Sequence, residues 1–144
     1  MGNPFTNYSI TIPSAYSESI KNFCNQSNPK QLGTYVPFNR QVDFWYFSFL
    51  YAVKENLEPE HISSSLTQNI TQGSILTDEQ VHLMQMVYLA NTLDIDSLKD
   101  SRTIFNYVSD MAFAGMTHVI ALLKDEDEET PLDGLFTYIE SRLK

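Results

Sequence analysis

The sequence has few of the residues from which disulfide frameworks, metal centres and phosphate-binding loops are built. Its 144 residues include one cysteine, three histidines and five glycines. The lone Cys24 excludes an intrachain disulfide, and with it the paired-cysteine framework typical of small secreted domains. Because the glycines are scattered singly, the chain has no Gly-rich loop of the kind that binds phosphate.

Catalytic motifs are missing as well. His61, His82 and His118 do not form the short His-x-x-x-His spacing of a zinc site. Cys24 lies on a predicted apolar stripe without a Gly-rich oxyanion turn, and the serine run at 63–65 lacks a Gly-x-Ser-x-Gly elbow. We therefore expect no catalytic residue, no cofactor and no bound metal, and we predict that the protein is not an enzyme.

Basic residues are scarce. Nine Lys and Arg residues stand against 18 Asp and Glu residues, which gives a formal net charge of -9. Nucleic-acid affinity depends on cationic side chains that neutralise phosphates, so we expect no direct nucleic-acid binding. The charge favours another protein as partner, in particular one with a basic surface, and leaves homo-oligomer formation open.

Long apolar runs are also absent. The most aromatic stretch is too short and too often interrupted by polar residues to span a membrane. Residues 1–7 have neither the basic region nor the apolar region of a signal peptide. We therefore expect a cytoplasmic protein that makes no membrane contact.

The most prominent feature that is present is an aromatic segment, Phe38–Val53, which contains the only tryptophan. In a helix, one face of this segment carries Phe38, Val42, Trp45, Phe49 and Val53. Further apolar side chains widen that face: Phe44, Phe47, Leu50 and Tyr51. A helix that is apolar nearly all round must be buried on several sides, so we predict that it is the central helix of the domain.

Helix signals recur along the rest of the chain. After an N-terminal arm at 1–12, they predict helices over 13–26, 38–56, 77–92 and 100–124, and a further helix from Thr130. Segment 61–74 mixes helical spacing with weak helix formers, so a short helix, a loop and a β-excursion stay open there. Strand-like alternation is nowhere sustained. We predict an all-α fold, a single compact and irregular bundle of four to six helices in one domain, 1–144.

Two local details refine these helices. Thr77 and Gln80 form a capping box, in which each side chain can accept a hydrogen bond from the other residue's backbone N–H. Ala112, Ala114 and Gly115 are small residues within the last long helix. They predict that another helix approaches closely at that point.

Seven residues are candidates for contacts with a partner. Tyr46 and Tyr51 are surplus aromatics of the predicted central helix, and they would be interface anchors if exposed. The other five form an acidic run: Asp125, Glu126, Asp127, Glu128 and Glu129. That run lacks the alternating ligands and the central glycine of an EF-hand loop, so we interpret it as an interaction patch or a solvated turn between helices.

Three short pieces of the aromatic region form a recognisable pattern: Tyr35-Val36-Pro37-Phe38, Val42-Asp43-Phe44-Trp45 and Ala52-Val53. The pattern resembles the Pro-Phe-then-Asp-aromatic helix start of small helical accessory proteins from bacterial DNA-modification and phage-defence loci, such as those associated with phosphorothioation. The resemblance covers a small part of the chain and contains no catalytic signature. It implies a bacterial accessory protein that works with larger enzymes.

Together these features favour a non-enzymatic, cytosolic helical accessory protein that acts through protein–protein contacts in a bacterial DNA-processing or phage-defence complex. Two alternatives stay open. One is an acidic inhibitor or nucleic-acid mimic that occupies a basic groove on its target. The other is a small-molecule-binding helical bundle, in which a polar residue such as His118, Asp110 or Arg40 points into an internal cavity.

Overall fold

The structure is a computed structural model that describes residues 3–24, 38–124 and 139–140. Within these ranges the chain forms four α-helices: α1 (Ser17–Asn22), α2 (Gln41–Lys54), α3 (Asp78–Thr92) and α4 (Ser101–Leu123). It also forms two β-strands, β1 (Ser9–Pro13) and β2 (Thr67–Gln72). Short 3₁₀ segments lie between them at Ser14–Tyr16, Ser64–Leu66, Gly73–Ile75 and Ile95–Lys99. No described helix has both the length and the apolar character that a membrane crossing needs.

The two strands form an antiparallel sheet, so the prediction of an all-α fold is wrong. Ile10 and Ile12 of β1 are buried, and the residues between and before them are more exposed, which is the alternation of a half-buried strand. Ser9 pairs with Gln72, 63 positions further along the chain. Local periodicity does not reveal a pairing partner at that distance, and each strand is too short to give a sustained pattern of its own.

The described helices have narrower bounds than predicted. The helix predicted over 13–26 contains a 3₁₀ turn followed by α1, and the central helix occupies α2 instead of 38–56. Four described helices are compatible with the predicted four to six. The acidic run at 125–129 and the predicted start of a helix at Thr130 lie outside the described residues.

α2 packs along α4, and this is the most extensive contact between elements of the described chain. Gly115 lies at the crossing, where a Cβ atom would collide with the backbone carbonyl oxygen of Ser48. The Cβ atom of Ala52 is the next nearest group. The predicted close approach at Gly115 is therefore confirmed, because only a residue without a side chain lets the two backbones come this near.

Aromatic rings fill the core around this crossing. Trp45 stacks on Phe105 of α4 with a ring-centroid distance of 6.0 Å, and Phe5 meets the same ring at 5.6 Å. Phe38 and Phe44 meet edge to face at 5.5 Å. All five side chains are buried and belong to one hydrophobic cluster. The burial predicted for the aromatic segment follows from its position between the N-terminal residues and α4.

Candidate functional site

α3 packs on the core through one face only. Its capping box is confirmed, since the Gln80 N–H donates to Thr77 Oγ1 at 3.1 Å and the Thr77 N–H donates to Gln80 Oε1 at 2.9 Å. From this start the helix directs three buried side chains toward the core: Val81, Met84 and Tyr88. The opposite face of α3 is left to solvent.

The solvent face of α3 carries a row of apolar side chains beside exposed polar residues such as Glu79 and His82. Leu83, Met86 and Ala90 follow one another at i, i+3 and i+7, so they form one stripe on the helix surface. Leu83 is 41% exposed, Met86 is 60% exposed, and Ala90 is exposed as well. A surface helix of a globular domain normally carries polar residues on this side. These side chains therefore contribute little to the core of the fold.

The apolar face continues beyond the end of α3. Leu93 is 85% exposed and Ile95 is 72% exposed. Leu93 ends the helix in the left-handed region with φ of 58°, and its N–H donates to the Leu89 carbonyl oxygen at 2.7 Å. Glycine is the usual residue there, because a side chain in this conformation costs about 1–2 kcal/mol. We call the following five residues the outer stripe: Leu83, Met86, Ala90, Leu93 and Ile95.

Acidic residues flank the outer stripe. From the start of α3 to the start of α4 the chain has one lysine, Lys99, one histidine, His82, no arginine, and five acidic residues: Asp78, Glu79, Asp94, Asp96 and Asp100. The Asp94 carboxylate accepts the Asp96 N–H at 3.1 Å, and the Asp100 carboxylate accepts the Thr103 N–H at 3.1 Å. The Thr103 hydroxyl, followed by its backbone N–H, lowers the pKa of Asp100. The five acidic residues are called the acidic rim below.

A groove of about 400 Å³ adjoins the outer stripe, and Ala90 borders both. Its lining comes from α2, the loop after α2, α3 and α4, and includes Val53, Leu57, Glu58, Val87, Tyr107 and Met111. α2 ends in a Schellman motif at Asn56, whose φ is 56° and whose N–H donates to the Val53 carbonyl oxygen at 3.3 Å. The Leu57 N–H donates to the Ala52 carbonyl oxygen at 2.9 Å and completes the motif. The motif turns the chain so that the following loop forms one wall of the groove.

The groove combines apolar side chains with two asparagines, Asn56 and Asn91, and one acidic group. Glu58 is exposed, and Tyr107 is half-buried against the ring of Tyr88, with a centroid distance of 5.5 Å. Burial raises the pKa of Tyr107, and the negative charge of Glu58 raises it further. The described residues that line the groove include no Lys, Arg or His. The groove therefore presents a negative charge near a phenolic hydroxyl, without a cation of its own.

A second concavity, the polar cleft, has a volume of about 360 Å³ and is lined by β1, the loop before β2 and α4. In it, His61 Nδ1 lies 3.5 Å from Asp110 Oδ1. Burial raises the pKa of Asp110, and His61 partly offsets this effect. At the N-terminal end of α4, the guanidinium carbon of Arg102 lies 4.1 Å from the centre of the Tyr8 ring. These groups can hydrogen-bond a small polar ligand.

Tyr46 and Tyr51, which were predicted as interface anchors, belong to α2 and not to the outer stripe. Tyr46 is half-buried with its ring 5.9 Å from that of Phe49, and burial raises its pKa. Tyr51 is half-buried and stacks on His118 at 6.1 Å. The acidic run at 125–129 lies outside the described residues. The assignment of these seven residues to an interface stays a prediction.

Other candidate residues have structural partners. Cys24 is buried, and burial, followed by the charge of Asp43, raises the pKa of its thiol to about 12. That thiol is therefore a poor nucleophile. Arg40 donates to the Asp43 carboxylate at 2.9 Å at the start of α2. Of the three polar residues expected to point into a cavity, Asp110 lines one.

The outer stripe was not predicted from the sequence. The helical spacing of Leu83, Met86 and Ala90 was visible, but the inward positions Val81 and Met84 already accounted for the amphipathic pattern of the helix. A second apolar face opposite the first is the sequence signal that could have identified this surface. Exposure of that face depends on which elements pack around α3, and the sequence does not state this.

No group of three or more His, Cys, Asp or Glu residues placed to hold a metal ion occurs in the described part of the chain. Neither a protein-family model, nor a curated protein, nor a solved structure matches this chain. The outer stripe with its adjoining groove is therefore the strongest functional candidate, on the physical grounds given above.

Proposed function

We propose that this protein is a non-enzymatic adaptor that docks a basic partner protein on the outer stripe and so works as an accessory subunit. One observation carries the proposal: a row of apolar side chains is exposed on one side of α3, and the two apolar side chains that follow the helix, Leu93 and Ile95, are highly exposed. Exposed apolar side chains in a contiguous row are typical of a surface that a partner covers.

The energy available from covering the outer stripe is substantial. Complete burial of a leucine, isoleucine or methionine side chain contributes about 1.5–3 kcal/mol. Met86, Leu93 and Ile95 each keep more than half of their surface exposed, so each has a large part of that amount to contribute. Ordering of the two partners consumes part of the total, and a few such anchors then determine the affinity.

The acidic rim determines the kind of partner. A protein whose apolar contact surface is edged by Lys or Arg complements both the stripe and the rim. A second copy of this chain carries the same rim and the same net charge of -9, so its approach is opposed by like charges. An amphipathic basic helix laid along the stripe is the simplest element of this kind.

The cellular setting is proposed from residues 35–53. Their resemblance to small helical accessory proteins of bacterial DNA-modification and phage-defence loci supports a cytoplasmic DNA-processing or defence complex. In such a complex this protein contacts larger enzymes and not the nucleic acid, because its own charge repels phosphate.

Met86→Glu tests the proposal, with Leu66→Glu as the matched control. Leu66 is 62% exposed, close to the 60% of Met86, but it lies before β2 and outside the outer stripe. In a pull-down from the native host, we expect one partner that wild-type protein and Leu66→Glu both retain. We expect Met86→Glu to lower the affinity for that partner by about ten-fold or more, which corresponds to the loss of one buried apolar anchor.

Repetition of the pull-down at low and high salt separates the alternatives. An apolar interface retains its partner at high salt, whereas an acidic inhibitor or nucleic-acid mimic loses its target because salt screens exposed charges. A partner that Met86→Glu retains as well as Leu66→Glu does would show that the outer stripe is not the docking surface. If the wild-type chain forms an oligomer and Met86→Glu dissociates it, the outer stripe is occupied by a second copy of the chain.

A specific observation also favours a second function, the binding of a small molecule in the polar cleft. His61 and Asp110 meet there, and Arg102 is held over an aromatic ring. This arrangement can bind a ligand that has an anionic group at one end and hydrogen-bond donors at the other. Native mass spectrometry of protein purified from the host tests this function. A bound ligand should be detected, and Asp110→Asn should lose it.

A further inference from the structure

We infer that the groove beside the outer stripe accepts a lysine or arginine side chain of the docked partner. The aliphatic part of that side chain packs on Val53, Val87 and Met111, and its cationic end lies by Glu58 and the Tyr107 hydroxyl. This inference deepens the proposed function and rests on it, because the cation is taken to belong to the partner that covers the stripe.

The groove has the form that a long, flexible side chain needs. It encloses about 400 Å³ between α2, α3 and α4. Met111 is buried, and Val53 and Val87 are half-buried, so the walls offer apolar surface that is still accessible. Lysine and arginine bury their methylene stems along surface of this kind while the charged end stays close to water.

Glu58 gives the groove a negative charge. It lines the groove together with Tyr107, and its charge acts on the Tyr107 hydroxyl. Within the described ranges Glu58 forms no ion pair. Since none of the described lining residues is basic, a cation from another molecule is the complement that this groove lacks.

Ala90 joins the groove to the outer stripe. It lines the groove and is also an exposed member of the outer stripe. A partner helix that lies along the stripe therefore has the groove within reach of one of its side chains. The acidic rim favours the same sign of charge on the partner, so the stripe and the groove select one kind of ligand.

Other side chains fit the groove less well. An anionic side chain is repelled by Glu58, and an apolar one leaves the Glu58 carboxylate and the Tyr107 hydroxyl without a complement. Because Glu58 is exposed to water, its charge produces a preference of up to about five-fold for a cation over an uncharged side chain of the same shape.

Titration of methyl-labelled protein with two probes tests the inference. Nα-acetyl-arginine amide carries the cation, and Nα-acetyl-citrulline amide has nearly the same shape without the charge. At constant ionic strength, we expect the arginine probe to shift the Met111 methyl resonance in a saturable way. Met84 and Met116 are fully buried, and their resonances serve as internal references that should not move. The citrulline probe should bind up to about five-fold more weakly.

Glu58→Gln and Glu60→Gln separate the groove from a general effect of charge. Both substitutions remove one negative charge from the same exposed loop, but only Glu58 lines the groove. Glu58→Gln should abolish the preference for the arginine probe, and Glu60→Gln should keep it. The inference is overturned by the absence of a saturable Met111 shift, by equal binding of both probes, or by equal effects of the two substitutions.

The pull-down and the titration can fail separately. In one outcome, Met86→Glu abolishes partner capture but the arginine probe does not shift the Met111 resonance. The docking proposal is then supported, and the inference about the groove is wrong. If the probe binds as expected but Met86→Glu captures the partner normally, the docking proposal is wrong. The groove is then a cation site that acts without a partner on the stripe.

Discussion

α2 and α3 are helices of nearly the same length, 14 and 15 residues, and both pack on α4, but they use their surfaces differently. α2 buries six side chains, among them Trp45 and Phe49, and none of its large apolar side chains is exposed. α3 buries three side chains and exposes Leu83 and Met86 on the other side. The fold leaves no large apolar side chain of α2 exposed, whereas it covers only one face of α3.

The C-terminal ends of α2 and α3 share a backbone conformation but differ in the residue that adopts it. Asn56 and Leu93 both have a positive φ, 56° and 58°. Asparagine tolerates this conformation, and at Asn56 it allows both hydrogen bonds of the Schellman motif after α2 to form. Leucine tolerates it poorly, and its side chain is 85% exposed. An exposed leucine side chain in this conformation adds little apolar burial to the monomer, which is consistent with a use at the surface.

The largest expected difference between the two faces of α3 comes from substitution of two methionines that lie two positions apart on this helix. Met84 is fully buried and Met86 is 60% exposed. Met84→Ala should lower the free energy of unfolding by about 3 kcal/mol, because it leaves a cavity in the core. Met86→Ala should change it by less than about 0.5 kcal/mol. Urea denaturation measures both values, and equal losses would show that the two faces of α3 are not distinct.

The close crossing of α2 and α4 gives the next largest effect. Gly115→Ala should lower the free energy of unfolding by about 2 kcal/mol through collision with the Ser48 carbonyl. In an unobstructed helix the same change would raise it by about 1 kcal/mol. Adding Ser48→Ala should not relieve the collision, because the obstacle is the backbone carbonyl, so the second substitution should add only the change in stability that it causes in the wild-type chain. A stabilised Gly115→Ala variant would contradict the close crossing.

Leu93→Gly should make the end of α3 resemble that of α2. We expect the free energy of unfolding to rise by about 1.5 kcal/mol, since glycine relieves the left-handed conformation at no cost to the core. Asn56→Gly is the matched control and should raise stability less, because asparagine already tolerates this conformation. Thermal unfolding measures both. Leu93→Gly should also weaken partner capture, and a variant that is destabilised would mean that Leu93 supports the fold.

The smallest effect concerns a buried hydroxyl at the α2–α4 crossing. Ser48 is fully buried, and its Oγ has no hydrogen-bond partner in the part of the chain that the structure describes. Ser48→Ala should therefore raise the free energy of unfolding by about 1 kcal/mol. Ser101→Ala, which removes a 2.8 Å contact with the Tyr8 hydroxyl, should lower it by about 1 kcal/mol. Changes of the same sign would contradict this assignment.

Much of the helical structure could be predicted because its determinants are local. The capping box at Thr77 and Gln80 is formed by residues three positions apart. The inward positions of α3, such as Val81 and Met84, follow from helical spacing. The sheet could not be predicted in this way, because Ser9 meets a residue 63 positions away and neither strand has a sustained alternation.

The candidate site was predictable only in part. The acidic character of the surface follows from a net charge of -9, and the apolar spacing of Leu83, Met86 and Ala90 is present in the printed sequence. The groove was not predictable, because Glu58 and Tyr107 reach it from separate elements. Tyr46 and Tyr51 were chosen as anchors for their residue type, but the packing of neighbouring rings leaves them half-buried.

The sequence by itself determined where the chain is helical and which side chains of each helix are apolar, since these properties depend on neighbours within one or two turns. The tertiary structure decided which apolar faces are covered. Gly115 of α4 lets α2 approach closely, and Trp45 of α2 stacks on Phe105 of α4. No described element covers the outer face of α3, and Leu93 and Ile95 stay exposed beside a groove that three helices form together.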